Sequence, residues 1–145
     1  MNQGVSRTLG SQVGGRWVAV AGHGWGIRVG NMDCWASLSL STGRPIVTIG
    51  GELDLATAPQ VQRTLSAALA DLHPADPSLL VDLHRLEFMD TSGLGLLLRA
   101  RKAAREHGSD LILIAPAPRV RRVLSKTNLL QTFTVYPSVS AAPAP

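Results

Sequence analysis

A carboxylate and two hydroxyls stand in Met89-Asp90-Thr91-Ser92-Gly93-Leu94-Gly95, between a strand-like run, Leu79-Leu80-Val81-Asp82-Leu83, and a helix-like run, Leu94 to Arg105. The first N–H groups of a helix have no partner within it, so a helix start accepts an oxygen or an anion. Two chemistries fit. Ser92, at or near the N-cap, can simply close the helix, a contribution of about 0.5–2 kcal/mol. Thr91 could do the same, and Asp90 would then be a loop carboxylate favoured by the helix dipole. Alternatively Ser92 is a covalent switch, its phosphate held against the helix start. Spacing alone leaves both open.

Other chemistries lack their residues. A nucleophile elbow needs Gly-x-Ser-x-Gly, and Asp90 and Leu94 stand where its glycines would be. His23, His73, His84 and His107 fall in no triad context, and no His-x-x-x-His pair occurs. Gly93-x-Gly95 lacks the third glycine or the Lys-Ser/Thr of a phosphate loop, and Gly22-x-Gly24-x-Gly26 precedes no clear helix. The expectation is a protein that is not an enzyme, with no catalytic residue, no metal and no cofactor.

The elements that must position the loop follow from pattern. Ser37–Ser41 reads as a short edge strand and Thr42-Gly43-Arg44-Pro45 as a turn. Ile46-Val47-Thr48-Ile49 is β-branched and reads as a strand, and Gly50-Gly51 permits a bulge or a close backbone approach. Asp54 and Thr57 offer capping oxygens ahead of a helix, with Pro59 in its first turn. Val61, Leu65, Ala68, Leu69 and Leu72 form one face of that helix, which Pro74 and Pro77 end. Leu79–Leu83 and Leu111–Ile114 are near-continuous apolar runs, as in strands buried on both faces. Gly108 ends the helix after Ser92, Arg119–Asn128 is a short helix, and Phe133–Tyr136 is a last strand. Alternating strands and helices imply an α/β layer with largely parallel central strands.

Of the 145 residues, 45% are hydrophobic and 17% charged, the balance of a globular domain. A single cysteine, Cys34, excludes an intrachain disulfide framework and suggests a reducing, cytoplasmic setting. The net charge is +4, but Arg7, Arg16 and Arg28 precede Met32 without any acid. The 14 basic residues less these three leave 11 against 10 acidic ones. The clusters Arg99, Arg101, Lys102, Arg105 and Arg119, Arg121, Arg122 carry no interleaved aromatics, so no direct nucleic-acid partner is expected. No apolar run approaches the roughly 20 residues of a bilayer span, so no membrane insertion is expected. Residues 1–36 read as a flexible Gly-rich extension, 37–137 as the folded domain and 138–145 as a disordered Ala/Pro tail; Met32 is an alternative start.

The ordered set Gly51-Glu52-Leu53-Asp54-Leu55-Ala56-Thr57-Ala58, Val81-Asp82-Leu83, Phe88 to Leu98 and Ala115 to Leu124 closely resembles the STAS domain of bacterial anti-sigma factor antagonists. The resemblance covers about residues 37–137. It implies a mixed sheet of about five strands with helices packed mainly on one face. It implies that Ser92 is phosphorylated by a partner kinase, and that Asp54, Asp90, Thr91, Ser92 and Gly93 bind partners. The implied partners are an anti-sigma factor serine kinase, bound when Ser92 is unmodified so that a sigma factor is released, and a serine phosphatase that resets the cycle. A second implied class is a STAS subunit acting without phosphorylation in a lipid-transport or stressosome-like assembly.

Overall fold

Strand order in the sheet is simply chain order. The computed structural model describes residues 16–20, 24–30, 34–41, 44–72 and 78–143. Its elements are β1 (Arg16–Val20), β2 (Gly24–Gly30), β3 (Cys34–Ser41), β4 (Arg44–Leu53), α1 (Ala58–Ala70), β5 (Ser78–Met89), α2 (Thr91–Glu106), β6 (Asp110–Ile114), α3 (Pro118–Lys126) and β7 (Thr134–Tyr136). β1 to β4 form an antiparallel meander, and β4 to β7 are parallel, so the sheet is mixed. Parallel neighbours need a crossover, and each helix supplies one.

Strand alternation divides the apolar residues between two faces. Val47, Ile49, Leu79, Val81, Leu83, Leu111 and Leu113 join the main core, together with Val61 and Leu65 of α1, Leu94 and Leu97 of α2, and Val120 and Leu124 of α3. All three helices among the described residues therefore cover the same face. Each of these buried leucines contributes about 1.5–3 kcal/mol by leaving water. Ile46, Leu80, Ile112 and Ile114 point to the opposite face, where Ala142 and Val139 pack on them. The central strands are buried on both sides, as their unbroken apolar runs anticipate.

The helix ends obey local chemistry. After α2, Gly108 takes φ 77°, and the N–H groups of Gly108 and Ser109 donate to Arg105 O and Ala104 O. Asn128 does the same after α3 at φ 60°, with Leu129 N–H donating to Leu124 O at 2.8 Å. Both are Schellman closures, which need a left-handed residue and so select Gly or Asn.

Five expected strands correspond to β3 to β7, and the sheet continues beyond them. The stretch read as a flexible extension contains β1 and β2, paired Trp17 to Ile27 and Ile27 to Leu38. β3 is consequently not an edge strand. Met32, His23 and His73 lie outside the described residues. β5 runs to Met89, well past Leu83. Residues 138–143, expected to be disordered, form a turn closed by Ala141 N–H to Ser138 Oγ at 3.2 Å and seated through the buried Ala142. Ala142 is small, so composition gave no sign of that contact.

Candidate functional site

β4 and β5 reach the carboxyl edge of the sheet in step. Leu53 pairs with Met89, and Asp90 N–H donates to Leu53 O at 3.2 Å. The loops that follow, Asp54–Thr57 and Asp90, therefore leave the sheet side by side, which brings together all the site residues read from the sequence.

Asp90 is the N-cap of α2. Its backbone is extended, and its Oδ1 accepts from Ser92 N–H at 2.8 Å and Gly93 N–H at 3.2 Å. The carboxylate thus does the work that the sequence reading gave to a hydroxyl, and Ser92 becomes the second residue of the helix. Relieved of capping, the Ser92 hydroxyl makes no hydrogen bond among the described residues. Ser92 is half-buried and Thr91 exposed. Gly93 is buried because nothing larger fits: a Cβ there would come within 2.6 Å of Met89 Cγ and 2.8 Å of Leu53 Cγ. The glycine lets the first turn of α2 press onto the ends of both strands.

The neighbouring loop is a closed knot. Asp54 Oδ1 accepts from Ala56 N–H at 3.0 Å, Thr57 N–H at 3.1 Å and Thr57 Oγ1 at 3.1 Å. The Thr57 hydroxyl also accepts from Asp54 N–H and lies 2.9 Å from Glu52 O, and Thr57 itself is buried. Thr57 occupies the N-cap position of α1, yet its side chain makes no cap bond, because Asp54 and Glu52 hold it. Beneath the knot lies Cys34, fully buried. Burial pushes its thiol pKa up, the Asp54 charge adds to the rise, and a Thr57 hydrogen bond works against it.

Sequence reading missed two residues here. Leu55, 77% exposed, and Phe88, 46% exposed, are the large apolar side chains that stand in water among the described residues. Leu55 lies in the Asp54 loop and Phe88 two residues before Asp90, so they flank the Ser92 edge. An apolar residue inside the polar turn Asp54–Thr57 was the available signal for Leu55. Phe88 gave none, since aromatic residues are ordinary in strands.

Gly50-Gly51 does what its composition suggested. The β4–β5 register shifts on either side of it, and the Trp35 indole lies so close to Gly50 that any Cβ would collide with the ring. His84, read as a turn or surface histidine, is exposed but lies within β5, with its Nδ1 2.7 Å from Asp82 Oδ1. Among the described residues no three His, Cys, Asp or Glu side chains gather as metal ligands, and no helix is long and apolar enough to cross a membrane.

The sequence and fold have known counterparts. The family model of the STAS domain matches residues 39–142, and the chain belongs to the STAS domain family. Its similar proteins narrow the class. The anti-sigma-B factor antagonist of Staphylococcus aureus is 30% identical over 83 residues, which span 57% of this chain and 74% of that protein. The crystal structure of an anti-sigma factor antagonist from Mycobacterium paratuberculosis matches with a TM-score of 0.62 at 28% identity, over 77% of this chain and 93% of the other. The anti-sigma factor antagonist SpoIIAA in its unphosphorylated form matches with a TM-score of 0.58 at 30% identity, over 73% and 91%. The phosphorylated form of the Bacillus protein gives 0.53 at 29% identity, over 73% and 95%.

Proposed function

We propose that this chain is an anti-sigma factor antagonist. With Ser92 bare it binds an anti-sigma factor that is a serine kinase, and a sigma factor is released. The kinase transfers the γ-phosphoryl group of ATP to Ser92 Oγ, leaving ADP, and the modified antagonist lets go. A serine phosphatase hydrolyses the phosphate and resets the cycle. The cycle needs ATP and a sigma factor, and so belongs to the cytoplasm.

The observation that carries this reading is the division of labour between Asp90 and Ser92. Asp90 already satisfies the N–H groups of Ser92 and Gly93, so the hydroxyl is spare. Phosphorylation adds about −1.5 to −2 charge at neutral pH. A phosphate on Ser92 would find its own N–H taken and a carboxylate beside it. The dipole of α2 still favours an anion at that end, so the fold tolerates the group. A docked partner would have to desolvate phosphate and Asp90 together, which is unfavourable. A loss of about 3–4 kcal/mol corresponds to two to three orders of magnitude in affinity. Leu55 and Phe88 supply apolar anchors on the same edge, while Asp54, Thr91 and Gly93 shape it. Three relatives bear the antagonist name, and one of them, SpoIIAA, exists in both phosphorylation states.

The test is to incubate the protein with an anti-sigma kinase from its own host and ATP, then map the phosphate by mass spectrometry. Modification confined to Ser92 and lost in Ser92→Ala is expected. Modification that persists in Ser92→Ala would remove the site assignment, and undiminished kinase binding by Ser92→Asp would remove the switch.

A further inference from the structure

β5 outruns its neighbour on one side. β6 follows it only as far as Asp82 opposite Ile114, whereas β4 accompanies it to Met89. Beyond Ile114 the chain turns away into α3, and a groove of about 780 Å³ opens between the outer half of β5 and the start of α3. Trp35, Gly51, residues 84–87 and residues 117–119 line it. Trp35 alternates with Cys34 and Ala36, which face the helices, so it lies on the opposite face of the sheet.

Two arginines, Arg85 and Arg119, line the groove against one acid, the exposed Glu87, so it is left with a net positive charge. Arg85 and Arg119 are exposed, and neither has an ion pair among the described residues. Arg85 Nε donates to His84 Nε2 at 3.3 Å, and His84 Nδ1 lies 2.7 Å from Asp82 Oδ1, so the three side chains form a short chain along the rim. α3 adds to the imbalance. Its N-cap is Ala117, with no side-chain cap and no acidic residue in the first turn, yet Arg119, Arg121 and Arg122 crowd that end. Cations at a helix N-terminus are disfavoured by the dipole, so an anion brought there gains from side chains and backbone together. Glu87, which lines the groove, immediately precedes the exposed Phe88 in β5, the strand that leads to Asp90 and Ser92.

We propose that this groove is a second contact surface for the partner and takes an acidic polypeptide segment, held by Arg85, Arg119 and the start of α3. The proposal rests on the partner-binding reading above. A polypeptide fits better than a small free anion because the cations are exposed and spread along an open groove beside the strand that leads to Ser92. Partner binding would then have two parts: an apolar and hydroxyl edge that phosphate disrupts, and an electrostatic arm that salt screens.

The test uses a fluorescein-labelled octaglutamate peptide, followed by anisotropy at low salt. The double variant Arg85→Glu/Arg119→Glu should bind it at least tenfold more weakly than the parent. The variant Arg99→Glu/Lys102→Glu makes the same change of charge on the exposed side of α2 and should stay within twofold. Melting curves confirm that both variants remain folded. Equal losses in the two variants would reduce the effect to net charge and overturn the proposal, as would no binding by the parent. Competition by micromolar inorganic phosphate would point to a free anion instead and also overturn it. Kinase binding by Ser92→Asp is measured separately; an undiminished result there sinks the switch and leaves the peptide result standing.

Discussion

The two loops at the carboxyl edge begin with the same device and end differently. In each, an Asp follows the last residue of a strand, Leu53 or Met89, and its Oδ1 accepts two backbone N–H groups from the residues ahead. In the Asp54 loop the nearby hydroxyl, that of Thr57, turns inward and is used up by Asp54 and Glu52. In the Asp90 loop the hydroxyl of Ser92 is left over. The hydroxyl of the first loop is structural; the second loop holds the same shape without its hydroxyl, which is what a modifiable residue requires. A switch needs a side chain whose loss or change does not unfold its support.

The contrast can be broken in several ways. The largest effect should come from Ser92→Asp, with a two- to three-order loss of kinase affinity by calorimetry, about 3–4 kcal/mol, and an unchanged melting temperature. Thr57→Asp should do the reverse: it buries a charge inside the knot and should unfold the domain before binding is even measured. Next is the glycine that seats α2. Gly93→Val should cost about 1–3 kcal/mol in urea unfolding through its clash with Met89 and Leu53. Gly95→Ala should gain up to about 1 kcal/mol, because only the mobile end of Arg99 stands in the way.

Smaller still are the two carboxylates. Asp54→Ala and Asp90→Ala should each cost about 1 kcal/mol as lost caps and turns. Only Asp90→Ala should also narrow the affinity gap between bare and phosphorylated protein, since it removes the charge that the phosphate meets. The subtlest effect concerns Cys34. Its folded thiol holds its proton more firmly than the unfolded thiol, so stability should be level at neutral pH and decline as pH rises past the ordinary value of 9.0. Cys34→Ala should flatten that decline in alkaline melts. A rise in stability above pH 9 would show that burial does not hold the thiol in its protonated form.

Much of this edge was legible in the sequence. The strand before it, the helix after it and the residues themselves follow from apolar runs, helical spacing and Gly108. The cap was not, because Asp90, Thr91 and Ser92 are all good cap formers and only the extended backbone of Asp90 decides between them. The outer half of β5 was hidden for another reason. Its register bulges break the alternation, so the buried Leu83, Leu86 and Met89 recur every third residue among His84, Arg85 and Glu87. Such a run looks like a turn, yet pairing with β4 keeps it extended. The groove beside it was invisible because it depends on where β6 stops. The early strands β1 and β2 escaped notice because Gly-rich stretches carry little periodic signal.

Strand order that never departs from chain order has a kinetic meaning. No strand must wait for a later one to be inserted between it and its neighbour, and no connection has to pass over another. Each pairing joins segments consecutive along the chain, which keeps the loops to be closed short and favours rapid assembly. β4, α1, β5 and α2, the elements that hold Ser92, are consecutive. On a ribosome they can come together while the residues that will cover the opposite face of the sheet, Val139 and Ala142, are still to be made. Until those residues arrive, Ile46 and Leu80 face water, and the nascent chain is most prone to aggregate in that interval.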